Sequence, residues 1–127
     1  MTLASRVVLR WSWVVLFFWF GTQQLIHPSQ WVTFLPGWTG YFPAPAEMLI
    51  QLNGWMEVCL AAMLLLGFYT RFAATVLSLH LAGIAASVGG AIGVRDAALA
   101  AVGISIALGG PDEWTLDTTL KEQSADR

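Results

Sequence analysis

The chain has 127 residues, 57% hydrophobic and only 11% charged, with a formal net charge of -2. Average globular chains carry about a quarter charged residues, so a mean hydropathy of +0.65 excludes an ordinary soluble domain. No basic block is present to bind nucleic acid, and the length allows one domain.

The first apolar run, roughly residues 7–26, is broken beyond Arg10 only by Ser12, Thr22, Gln23 and Gln24. Arg6 and Arg10 open it as they would a secretory signal, but no small-x-small cleavage pattern follows Gln23-Gln24-Leu25-Ile26, so it reads as a retained span. From Pro28 to Ala46 the chain holds four prolines and five aromatic residues and no charge. Pro36-Gly37 marks a turn. So apolar a loop is expected at the membrane surface or folded over the bundle mouth, as a lid or a partner-docking surface.

The second run, roughly residues 47–67, carries Glu57, the only ionised side chain between Leu49 and Phe68. A carboxylate at that depth costs at least a few kcal/mol unless it is paired, protonated or wetted. That marks either a functional site or a fastening between helices. The third run covers roughly 72–90 and the fourth roughly 91–110. Each is close to the ~20 residues a helix needs to cross ~30 Å of hydrocarbon. None shows the polar face of a soluble bundle helix, and in lipid only a helix satisfies its own backbone. The predicted fold is an all-α polytopic membrane protein, a four-transmembrane-helix bundle forming one domain over 1–127. The polar, acidic tail, residues 111–127, is expected to be solvated unless it docks.

Arg6, Arg10, Arg71, Lys121 and Arg127 fall on one side of this arrangement and Arg95 on the other. The positive-inside rule then predicts cytoplasmic termini and a multi-pass protein of the cell inner (plasma) membrane. Trp11, Trp13 and Trp114 fall near the inner interface and Trp31, Trp38 and Trp55 toward the outer one, where amphipathic rings gather.

At ~1.5 Å rise per residue, Glu57 lies about 15 Å below the outer surface and His80 about 12 Å above the inner one. Both are near the midplane. Asn53 shares the face of Glu57, since i and i+4 align. Gly83, Ser87 and Gly90 continue above His80, and Gln23 and Gln24 stand near the outer end of the first span. These positions outline a polar lane open to the outer leaflet. On the fourth span Arg95 and Asp96 point ~100° apart, so each is expected to find a partner on another helix: Arg95 on Glu57, and Asp96 on Asn53, Gln24 or a helix-start backbone group. Asp96 as a plain N-cap is the competing reading. Ala100, Gly103, Ala107 and Gly110 form a small-residue packing seam.

Cys59 is the only cysteine, so no disulfide or Cys-x-x-Cys redox pair is available. His27 and His80 lie at different depths and do not suit a bis-His haem. No phosphate-cradling loop or metal-ligand cluster is apparent, and no metal site is assigned. Any redox cofactor would be diffusible or belong to a partner.

Asn53-Gly54-Trp55-Met56-Glu57, Tyr69-Thr70-Arg71-Phe72-Ala73-Ala74, Val94-Arg95-Asp96-Ala97 and Trp114-Thr115-Leu116-Asp117, in this order and spacing from Arg10 to Asp117, resemble DoxX-type (DoxX/DoxD) membrane proteins. The resemblance implies a compact four-helix bundle. It also implies association with membrane redox and oxidative-stress complexes, including the small subunits of thiosulfate:quinone oxidoreductase. The site residues it implies are Glu57, Arg95 and Asp96, supported by Asn53. Many relatives carry a Lys three residues after the first-helix Gly. Here Gln24 follows Gly21, which leaves Arg95 as the counter-ion expected for Glu57.

Residues and resemblance converge on a subunit of a quinone-linked redox complex, with no covalent cofactor and a diffusible quinone as ligand. Glu57, Arg95, Asp96 and His80 are the candidate catalytic groups: a proton carrier, its counter-ion, a second acid, and a donor or relay. Asn53, Trp55 and Gln24 are the candidate substrate-binding residues. The lipid bilayer and either other subunits or further copies of the chain are the expected partners. Two other classes follow in order: a non-catalytic scaffold that seats a partner enzyme, and a small-solute or proton transporter, against which stands the lack of a broken-helix or inverted-repeat pattern.

Overall fold

A computed structural model describes all 127 residues. Four long helices form the body: α1 (Leu3–Ile26), α2 (Ala46–Leu66), α3 (Thr70–Val88) and α4 (Gly90–Gly109), with a short α5 (Leu116–Ala125) in the tail. All four long helices have the length and apolar composition to cross a bilayer. The predicted spans agree with them to within two residues except at the start of α1. There Thr2 caps the helix by accepting from the Ser5 N–H, and helix begins four residues earlier. Between α1 and α2 the charge-free loop folds into two 3-10 turns, Pro28–Phe34 and Gly37–Tyr41.

The chain pairs its helices as two hairpins. α1 lies along α2 and α3 along α4, while the hairpins touch each other more sparsely. Backbones approach where side chains vanish. A Cβ on Gly54 would stand 2.8 Å from the Gly21 carbonyl, and one on Gly93 would stand 2.8 Å from the Ala85 carbonyl. Across the hairpins, Gly103 of α4 lies against the Trp13 ring of α1 and the Ser78 hydroxyl of α3, where any Cβ would overlap both. The predicted small-residue seam is thus a packing surface at Ala100 and Gly103, both buried. Trp13 is 2% exposed and T-stacked on Phe17 in a core with Leu60, Leu64, Ala73, Ala74 and Leu77. This corrects its placement in the interfacial belt: Gly103 opposite makes room for the whole indole. Trp11 and Trp114 remain exposed.

The end of the bundle that holds both termini is sealed by arginines. Arg6 donates to the carbonyls of Gly109, Gly110 and Pro111, and Arg71 to those of Ala107 and Leu108. Each supplies positive charge to the carbonyl end of α4. Arg10 does the same for α2 from a fully buried position, donating to Leu64 O at 2.7 Å and Leu65 O at 3.0 Å.

The tail docks. Asp112 pairs with Arg10 at 2.8 Å. Asp117 accepts the Tyr69 and Thr70 N–H groups, both at 2.8 Å, at the start of α3. The Asp117 N–H in turn donates to the carbonyl of Gly67, which closes α2 in the left-handed conformation at φ 68. The segment therefore satisfies the conditional part of the sequence expectation: it docks, Asp112 on Arg10 of α1 and Asp117 on the α2–α3 turn. Asp117→Ala removes an N-terminal cap from α3. It is expected to lower stability by about 0.5–2 kcal/mol, read as a shift in denaturant unfolding of the detergent-solubilised protein together with faster proteolysis of α5.

Candidate functional site

Between the two hairpins, in the half of the bundle away from the termini, lies a cavity of about 830 Å³. Its formation follows from the packing. α1 and α4 meet at Trp13 and Gly103 and by the Arg6 bonds. Beyond that level Leu16 and Phe20 on one side and Leu99 and Ile92 on the other line open space. The proline-rich loop lies along its outer side. Trp31, Phe34, Leu35, Trp38 and Phe42 contribute to the wall, which places the loop over the bundle mouth, one of the two positions expected of so apolar a segment. T-shaped contact of Trp31 with Phe20 fastens the loop to α1.

The floor is polar. Glu57, 3% exposed, receives three N–H donors from three helices. Gln24 Nε2 of α1 donates to Oε2 at 3.0 Å, Asn53 Nδ2 of α2 donates to Oε1 at 3.0 Å, and His80 Nε2 of α3 lies 2.9 Å from Oε1. Asn53 Nδ2 also donates to Gln24 Oε1 at 2.7 Å. The amide orientation of Asn53 is fixed by this pair of contacts, since an oxygen in its place would face two oxygens. His80 Nε2 makes this contact and Nδ1 has no partner within the protein. Asn53 shares the Glu57 face by its i, i+4 spacing, as its sequence position predicts.

The sequence expectation for the counter-ion is corrected. Arg95 does not reach Glu57. Its Nε and Nη2 groups both lie 2.9 Å from Oδ1 of its own neighbour Asp96, and more than half of the Arg95 side chain is exposed. A guanidinium on a three-carbon stem folds back across the ~100° between adjacent helical positions, so the two groups neutralise each other on one helix. Asp96 consequently has no bond to Asn53 or Gln24. Nor is it an N-cap, because α4 begins at Gly90 and places Asp96 inside the helix. Both residues nevertheless line the cavity.

Trp55 is also corrected. It is 59% exposed and absent from the cavity wall, because it stands two residues from Glu57 and projects from another side of α2. Gly83 and Ser87 line the cavity above His80 as the polar lane requires, while Gly90 does not. Gln24 shows most clearly what the sequence concealed. Its position near the end of α1 gave depth but not facing, and the Gly21–Gly54 approach is what swings α1 close enough for its amide to meet Glu57.

Four bilayer-length helices around an apolar cavity with a buried carboxylate at its floor define a polytopic membrane protein. The DoxX family model matches residues 5–90, about two thirds of the chain, and the chain belongs to the DoxX family. The matched residues include Gln24, Asn53, Glu57 and His80 and end ahead of Arg95 and Asp96. No curated protein and no solved structure matches the chain.

Proposed function

We propose that the protein is a quinone-binding membrane subunit of a redox complex, with the Glu57–His80 floor as the head-group site and the aromatic cavity as the tail site. The observation that carries this reading is the convergence of a titratable pair, Glu57 and His80, at the base of an otherwise apolar cavity. A volume of about 830 Å³ is in the range of drug-sized ligand sites, which combine apolar walls with few polar groups. A quinone, when bound, takes up electrons together with protons. Gln24 holds an unused amide hydrogen that orients a carbonyl, and Glu57 with His80 holds or releases a proton at the floor. The loop excludes water from above.

In this role the chain lies in the cell inner membrane with both termini cytoplasmic, consistent with Arg6, Arg10 and Arg71 at one end. Electrons arrive from a partner subunit. Solvent extraction of the purified protein is expected to recover quinone near one per chain, and a short-tailed quinone is expected to raise the melting temperature. Folded protein that yields lipid but no quinone, and that no added quinone stabilises, overturns the reading in favour of a scaffold that seats a partner enzyme.

A further inference from the structure

The cavity wall has hydrogen-bonding capacity that the protein itself does not use, and at the buried floor acceptors outnumber donors. Asp96 is only 4% exposed, yet Arg95 occupies Oδ1 alone, and Oδ2 of this cavity-lining residue has no partner. Asn53 spends its amide nitrogen on Gln24 and Glu57, leaving Oδ1 free. Glu57 Oε2 takes a single donor, and His80 Nδ1 has no partner within the protein. Against these stand one amide hydrogen of Gln24 at the floor and, higher on the wall, the outer N–H groups of the half-exposed Arg95 and the indole N–H groups of Trp19, Trp31 and Trp38. The two carboxylates are also close in depth. Gly93 meets Ala85, so Asp96 comes level with Ala82, about 3 Å along the axis from His80.

We infer that the cavity selects a ligand whose polar head donates hydrogen bonds, and that within the quinone class it binds the reduced, hydroxyl-bearing quinol in preference to the oxidised quinone, with Asp96 as a second acceptor beside the Glu57 floor. The inference rests on the quinone reading above and adds the redox form. A quinol hydroxyl meets the open Asp96 oxygen with a charge-assisted bond. A quinone carbonyl sets oxygen against oxygen there and leaves Asp96 unmet. A hydrogen bond to a charged group corresponds to a preference of about tenfold or more.

The test is a set of titrations of the full chain in nanodiscs with a short-tailed benzoquinone, the corresponding hydroquinone kept reduced under argon, and a primary amine bearing the same tail. The quinol is expected to bind about tenfold or more tighter than the quinone. Asp96→Asn, which keeps an oxygen for Arg95 and turns an amide donor to the cavity, is expected to collapse or invert that ratio while quinone binding persists. The wild-type ratio decides the matter alone if Asp96→Asn does not fold. Equal affinities in the wild type overturn this inference and leave the quinone reading standing. Failure of both forms to bind folded protein overturns the quinone reading itself, and tight binding of the amine alone reassigns the cavity to cationic amphiphiles and overturns both.

Discussion

Asp112→Ala is expected to destabilise the protein by about 3–5 kcal/mol, the cost of leaving a buried charge without its partner. Arg10 and Asp112 are 2% and 3% exposed, and two N–H groups of the guanidinium meet the two carboxylate oxygens at 2.8 and 3.3 Å. With Asp112 gone, Arg10 keeps the carbonyls of Leu64 and Leu65 but no counter-charge. Arg10→Lys should fail as well, because an ammonium cannot span a carboxylate and two helix-end carbonyls as the planar fork does. Unfolding in detergent measures both, and a loss below about 1 kcal/mol for Asp112→Ala would show that water or lipid headgroups already screen the pair. The consequence reaches the cavity. Asp112 pins the tail to Arg10, which holds the last carbonyls of α2, Asp117 pins it to the α2–α3 turn, and that turn sets the register in which Glu57 of α2 meets His80 of α3.

The sequence carried the spans and the depth of Glu57 and His80, because hydropathy and helical rise act along one chain. Facing and partner choice were less legible. Charge, depth and the Gln24 that stands where many relatives have a lysine point Arg95 to Glu57, yet a contact between helices depends on crossing geometry, and that is set by Gly21, Gly54, Gly93 and Gly103. Tryptophan illustrates the same limit: Trp13 and Trp55 differ in exposure, 2% against 59%, and only the packed neighbours of each decide it. The Arg10–Asp112 pair was hidden for a further reason. Arg10 reads as a flanking charge at the start of a span, and Asp112 as part of a solvated tail. Nothing local says that they meet across 102 residues of chain.

Glu57→Gln, although isosteric, is expected to cost about 1–3 kcal/mol by leaving one buried polar contact mispaired. Gln24, Asn53 and residue 57 form a closed triangle of contacts. The amide nitrogen of Asn53 serves two edges, so residue 57 must present an acceptor to Asn53. Gln24 must then turn its oxygen to Asn53 and its nitrogen to residue 57, which again requires an acceptor there. A carboxylate offers two acceptors and a carboxamide only one, and flipping any of the amides moves the mismatch to another edge without removing it. The same logic names its own rescue. In Gln24→Glu/Glu57→Gln the residue with two acceptors moves to α1. All three edges are satisfied again, with the carboxamide oxygen at position 57 still facing Asn53 and His80. Thermal unfolding of both single variants and the double variant is expected to give a coupling that recovers most of the loss. Additive losses would mean that water within the cavity, rather than these amides, completes the shell around Glu57, and the floor would then be a wet site instead of a preorganised one.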